Sequence, residues 1–229
     1  MKFFQLSENS LLLEFEQAIA PKIAQEVAVW NDFLCHEFKE QLIEIVPSYC
    51  SIHVQFDVRK ISFAQLFEKI LASQDAVNLS EASRKSEKSV IEIPIYYGEE
   101  VGFDLAVLSQ SSGLTVQEII KIHSEKIYDT YAVGFAPGFA YLGLVDQRIA
   151  KPRKDTPRIN IPAGSVGIAG QQTAVYPVDS PGGWQIIGRT PNKMIDFEKA
   201  KPALLTVGDK VRFVSISKQQ YIDLGGVLA

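Results

Sequence analysis

The chain reads as α+β: an N-terminal ferredoxin-like domain over residues 1–88, followed by a β-barrel domain over residues 89–229. Three observations predict this. Up to about residue 98, apolar residues switch between strand and helix periods in the order β-α-β-β-α-β, the split arrangement of two helices on one face of a four-stranded sheet. Beyond it come short alternating runs broken by Gly or Pro roughly every ten residues, the spacing of a closed or nearly closed barrel. Residues 134–191 hold 16 of the 26 glycines and prolines, so the backbone turns most often there.

The elements follow in order. Residues 11–15, LLLEF, read as a short buried strand. Ile23, Val27, Trp30 and Leu34 then recur on one helical face, with Pro21 in the first turn, where its missing N–H costs nothing. Residues 42–46 and the alternating Ile52, Val54 and Phe56 form a hairpin across Pro47, Ser48 and Tyr49. Ser62 and Gln65 make a capping box ahead of Leu66, Phe67, Ile70 and Leu71, which opens a second helix. A polar stretch, residues 78–89, leads to SVIEIPIYYG, the last strand of the split motif. DLAVLSQSSGLTVQEIIKIHS then gives two short helices broken at Gly113, with Thr115 and Glu118 capping the second. The barrel runs are Tyr131/Val133/Phe135, Val166/Ile168, Trp184/Ile186 and Val211/Phe213.

Composition removes several classes. At 229 residues, 46% hydrophobic and 22% charged, the chain has the balance of an ordinary globular protein. No apolar run reaches membrane-spanning length, and acids interrupt MKFFQLSENSLLLEFE before a signal peptide could form, so a cytoplasmic protein with no membrane partner is expected. Cys35 and Cys50 lack CxxC spacing and read as small packing residues; His36, His53 and His123 are scattered, so no metal site is expected. Residues 116–123, the recognition helix of a would-be helix-turn-helix, offer too little positive charge to hold phosphates. Together with a net charge of −4, this argues against nucleic acid.

Charge and turns coincide in residues 134–191. Six cations, Arg148, Lys151, Arg153, Lys154, Arg158 and Arg189, face three carboxylates there, about +3 against about −7 for the rest. Two readings compete: an anionic small-molecule site, or turns between short strands with solvated charges. Under the first, Arg153, Arg158 and Arg189 offer guanidinium forks. Gly164, Gly167 and Gly170 let backbone N–H groups approach an anion, or else mark bulges and barrel corners. Gln171, Gln172 and Tyr176 supply neutral donors or are plain strand residues. Asp179 in PVDSPGGW ligates Mg²⁺ or closes a turn, and His123 is an acid or base or a satisfied helix-end imidazole. GFAPGFAYLG is an aromatic loop that lines a pocket, forms an interface or plugs the barrel. Asn192-Lys193-Met194 lacks the preceding Met of a biotin-acceptor motif, so the chain carries no biotin itself.

The strings VGFAPGFAYLG, PRKDTPRINIPAGSVGIAGQQTAVYPVDSPGGWQIIGRTP and EIPIYYG resemble the family containing the 5-oxoprolinase B subunit, the sporulation-kinase inhibitor KipI and allophanate hydrolase subunit 1, also called carboxyltransferase subdomain C and D. The likeness spans essentially the whole chain; Ala136 and Ala140 depart from it in the aromatic loop. It implies a cyclophilin-like β-barrel for the C-terminal domain. It also implies one component of an ATP-dependent hydrolase that opens 5-oxo-L-proline to L-glutamate with subunits A and C. A lactam is a poor electrophile, and a phosphoryl group on its oxygen makes an imidate that water attacks. ATP and Mg²⁺ would then sit at a site shared with a partner, and this chain alone would be inactive. The same resemblance implies two alternatives: a KipI-like inhibitor of histidine-kinase autophosphorylation, and a carboxyltransferase subunit of the allophanate hydrolase or urea carboxylase type with a biotinylated partner.

Overall fold

Strand alternation in the first fourteen residues closes a hairpin at Glu8 and Asn9: β1 (Lys2–Ser7) pairs antiparallel with β2 (Ser10–Glu14). The computed structural model describes residues 1–75, 77 and 89–228. Leu11 and Leu13 of β2 are fully buried. Helix α1 (Pro21–Glu37) starts on its proline and buries Ile23, Val27, Trp30 and Leu34, the face that the spacing predicts. β3 (Leu42–Pro47) and β4 (Ser51–Phe56) form the second hairpin, and Ile52, Val54 and Phe56 point inward at every other residue. In α2 (Phe63–Ala72) both halves of the Ser62/Gln65 capping box are made. Cys35, expected to pack, is exposed, and Cys50 Sγ lies 3.3 Å from Gln17 Oε1.

The four-stranded sheet runs β1-β2-β4-β3, antiparallel throughout. Its membership corrects the sequence reading. The outer place assigned to the strand of SVIEIPIYYG is filled by β1, which the pattern misses because most of its side chains are exposed. Strand β5 (Ile91–Ile95) belongs to the second sheet. The polar stretch 78–89 lies outside the described residues up to residue 88.

Contacts divide the chain into units Met1–Lys88 and Ser89–Ala229. In the second unit, the helices α3 (Leu105–Ser112) and α4 (Val116–Ser124) meet at Gly113, whose φ of 70° supplies the left-handed cap, and Thr115 with Glu118 caps α4. The remaining elements are β6 (Ile127–Val133), β7 (Ala140–Gly143), β8 (Arg158–Ile161), β9 (Ser165–Ala169), β10 (Gln172–Val175), β11 (Ser180–Gly182), β12 (Gln185–Arg189), β13 (Lys210–Ser215) and α5 (Lys218–Asp223). Seven strands run in the order β12-β9-β10-β7-β6-β13-β5, with β5 parallel to β13. Pro94 fits in β5 because that strand lies at the edge of the ladder, where a missing N–H is tolerated. Just past β5, Tyr96 exchanges two backbone hydrogen bonds of 2.9 Å with Arg189 of the opposite edge, so the mixed sheet is a nearly closed barrel.

β9 and β12 are buried along their whole length because both faces are covered. Val166, Ile168 and Ile187 pack into the main core with Ile93, Leu105, Ile119 and Phe213. Ala169 and Ile186 join a second cluster with Phe139, Ile161, Ala174, Tyr176 and Trp184. The two-stranded β8–β11 sheet contributes Ile161 to that second cluster, from which the site is built.

Candidate functional site

Between β6 and β7 the loop 134–139 turns on Phe135, a residue with φ of 76°. A bulky side chain in the left-handed region is strained, and such strain gathers at functional sites. The Phe135 ring is 66% exposed and stands edge-on to buried Phe139, at 5.3 Å between centroids. Phe139 meets Tyr141 at 4.9 Å, Tyr176 at 5.4 Å and Trp184 at 5.7 Å. These five rings, with Arg153, Pro157 and the Pro181-Gly182-Gly183 turn, line an open cleft of about 270 Å³. Gly182 is required there, since a Cβ would collide with the Tyr176 hydroxyl. The Arg153 guanidinium lies 5.7 Å from the centre of the Trp184 ring, a cation–π contact that leaves its N–H groups available to an anion. Burial pushes the Tyr176 phenol up to about 12 against a backbone hydrogen bond from Trp184 and the Arg153 charge, so it stays protonated and able to donate.

The other two arginines are elsewhere. Arg158 donates to Asp104 through both guanidinium ends, Nη1 to Oδ2 at 2.8 Å and Nη2 to Oδ1 at 2.7 Å, and Lys154 Nζ adds 3.1 Å. Asp104 is 2% exposed and also accepts the Ile186 N–H at 2.7 Å. Burial alone would raise its carboxyl; the hydrogen bonds from Arg158, Ile186 and Lys154 outweigh that and hold it below the ordinary range. Arg189 is buried, donates to Val227 O at 3.1 Å and sits 6.0 Å from the Phe103 ring, with Arg158 at 5.6 Å from the same ring. Arg158 and Arg189 thus gather around Phe103, and Arg153 alone of the three reaches the aromatic cleft.

The remaining candidates are held by the scaffold. Gly164 N–H donates to Tyr176 O and Gly170 N–H to Lys151 O, both at 2.7 Å, and both glycines have positive φ. Gly167 sits mid-strand opposite Ala174 and Ile186. Gln171 stands exposed at the β9–β10 turn, its carbonyl accepting from Val145 N at 2.7 Å, and Gln172 begins β10. Asp179 accepts the Ala163 N–H at 2.8 Å and braces a loop.

His123 is fully buried, with Nδ1 2.8 Å from the Tyr97 hydroxyl, Nε2 3.0 Å from Thr173 Oγ1 and its ring stacked on Phe213. Burial pushes it down to about 3, so it is a neutral core imidazole. Among the described residues no group of three or more His, Cys, Asp or Glu is placed to hold a metal, and no helix is long and apolar enough to cross a membrane. Sequence reasoning missed Asp104. Its signal was a lone acid inside the apolar run GFDLAVL, where burial demands a partner.

A cleft of edge-to-face rings with one cation lies in a nearly closed mixed-sheet barrel unit that follows an α+β unit in the chain. Residues 1–205 match the carboxyltransferase domain, subdomain C and D, and the chain belongs to that family. It is 37% identical over 225 residues to the 5-oxoprolinase B subunit of Bacillus subtilis strain 168, covering 95% of this chain and 93% of that one. With the 5-oxoprolinase B subunit of Haemophilus influenzae the identity is 35% over 214 residues, covering 93% and 97%. The crystal structure of TTHA0988 superimposes with a TM-score of 0.78 at 29% identity; the match covers 92% of this chain and 40% of that longer one. The urea carboxylase of Kluyveromyces lactis shares the fold, with a TM-score of 0.64 at 17% identity over 96% of this chain and 22% of its own.

Proposed function

We propose that the chain is the B component of an ATP-dependent 5-oxoprolinase, working with subunits A and C to convert 5-oxo-L-proline to L-glutamate. The observation that carries this reading is identity above a third, over more than nine-tenths of both chains, to proteins of that name. The site agrees in kind: it offers recognition surface, a cation and a protonated phenol. The carboxylates Asp104 and Asp179 are engaged by Arg158, Lys154 and the Ala163 N–H, and no group of three or more His, Cys, Asp or Glu is placed together among the described residues. ATP and Mg²⁺ would therefore depend on groups from a partner. Chemically, transfer of the γ-phosphoryl group to the lactam oxygen makes C5 electrophilic. Water adds there, the ring C–N bond breaks with nitrogen leaving as the amine, and a second water hydrolyses the resulting acyl phosphate.

The test is reconstitution. The purified chain mixed with subunits A and C should release glutamate and phosphate from 5-oxoproline and ATP, and omission of this chain should abolish release. The family match also favours a second reading, carboxyl transfer from a biotinylated partner. Carboxylation of urea by such a mixture, with no turnover of 5-oxoproline, would select it. Loss of histidine-kinase autophosphorylation on adding the chain alone would select a KipI-like inhibitor instead.

A further inference from the structure

We propose that the cleft beside the 134–139 loop is the binding site for a small ring-shaped monocarboxylate, with the carboxylate on Arg153 and the ring lying among Phe135, Tyr141 and Trp184. The proposal rests on the oxoprolinase reading for the choice of ligand, 5-oxo-L-proline, and on geometry for the class.

Size comes first. About 270 Å³ lies just below the range of roughly 300–1,000 Å³ that holds drug-sized molecules, so a small guest matches the lined part of the cleft. Charge comes second. Arg153 is the cation lining the cleft, and it lies against a π face, whereas the nearby Lys154 and Arg158 are both engaged by Asp104 and do not line it. One guanidinium matches one carboxylate bidentately; a triphosphate, with about four negative charges, would need several cations. Shape comes third. Rings at 4.9 to 6.1 Å from one another around Phe139 present edges and faces to a flat, weakly polar ring. Tyr176, buried beneath these rings and packed against Gly182, forms the floor on which they rest. Phe135 is held in a strained backbone with its ring exposed, which is hard to account for by packing within the chain.

The experiment titrates the full chain, free and assembled with its partners, with 5-oxo-L-proline while following the Trp184 indole N–H by NMR. Buried Trp30 of the first unit serves as internal control. The expected result is a saturable shift of Trp184 and not Trp30. 2-Pyrrolidone, the same ring without the carboxylate, should bind at least tenfold more weakly. Arg153→Gln should weaken binding at least tenfold, with Arg153→Lys falling between; both change an exposed residue and should leave the fold intact. Phe135→Ala should weaken binding through loss of a wall.

Undiminished binding to Arg153→Gln, or no Trp184 response in either the free or the assembled chain, overturns the proposal. The two readings fail separately. An assembled enzyme that turns over 5-oxoproline with unchanged KM in Arg153→Gln keeps the function and loses this site. A Trp184 shift abolished by Arg153→Gln, in a mixture that never releases glutamate, keeps the site and loses the function.

Discussion

Asp104, almost closed to water, joins two partly exposed cations and a backbone amide, so its removal leaves the Ile186 N–H without its acceptor and the two cations without their carboxylate. Asp104→Ala should therefore destabilise the second unit by about 1–3 kcal/mol, measured as a lowered urea midpoint. Its folded carboxyl is held below the unfolded value of about 3.9, so the stability it confers is present above that pH and lost as pH falls through the folded value. His123 gives a second window with the same sign. An imidazole held down to about 3 stays neutral while the unfolded chain takes up a proton near 6.5, so stability should fall from about pH 6.5 toward pH 3. His123→Gln should flatten that slope by up to about 1.4 kcal/mol per pH unit, read from urea unfolding at several pH values; an unchanged slope would show that His123 is protonated in the fold. At this scale the sequence was a partial guide. Arg153, Arg158 and Arg189 look alike in the primary structure, being guanidiniums on or beside turns. They part company because Asp104, 54 residues before Arg158, folds against one of them, while Arg189 is buried beside Val227.

The secondary elements were most legible where their determinants are local. A capping box needs only residues i and i+3, and those at Ser62/Gln65, Thr115/Glu118 and, passed over in the sequence, Ser217/Gln220 all form. Thr115→Ala should cost about 1 kcal/mol by uncapping α4, measurable as a reduced thermal midpoint. Strand partners are another matter. IEIPI is plainly a strand, but its hydrogen bonds go to Lys210–Ser215, more than a hundred residues later, and not to the hairpins that precede it. Gly164 illustrates both levels. Its φ of 79° could be anticipated from a turn-rich stretch, whereas the close approach of Thr190 O to where a Cβ would lie comes only from the fold. Gly164→Ala should accordingly cost on the order of 1–3 kcal/mol from the backbone alone, with the collision adding to it.

For the molecule as a whole, two units with separate cores place the candidate cleft entirely within residues 89–229. If the oxoprolinase reading holds, the chain should co-elute with subunits A and C on size exclusion and turn over 5-oxoproline only in that assembly; turnover by the lone chain would contradict the division of labour inferred from its engaged carboxylates. The primary structure by itself determined the element types, the caps, the turn-rich stretch and the family likeness, because each depends on neighbours in sequence or on motif order. Tertiary structure decided which strand completes which sheet, which arginine faces the cleft, and that His123 is buried against Tyr97, Thr173 and Phe213. Those outcomes are pairings between distant residues, and burial selects them only once the chain has closed on itself.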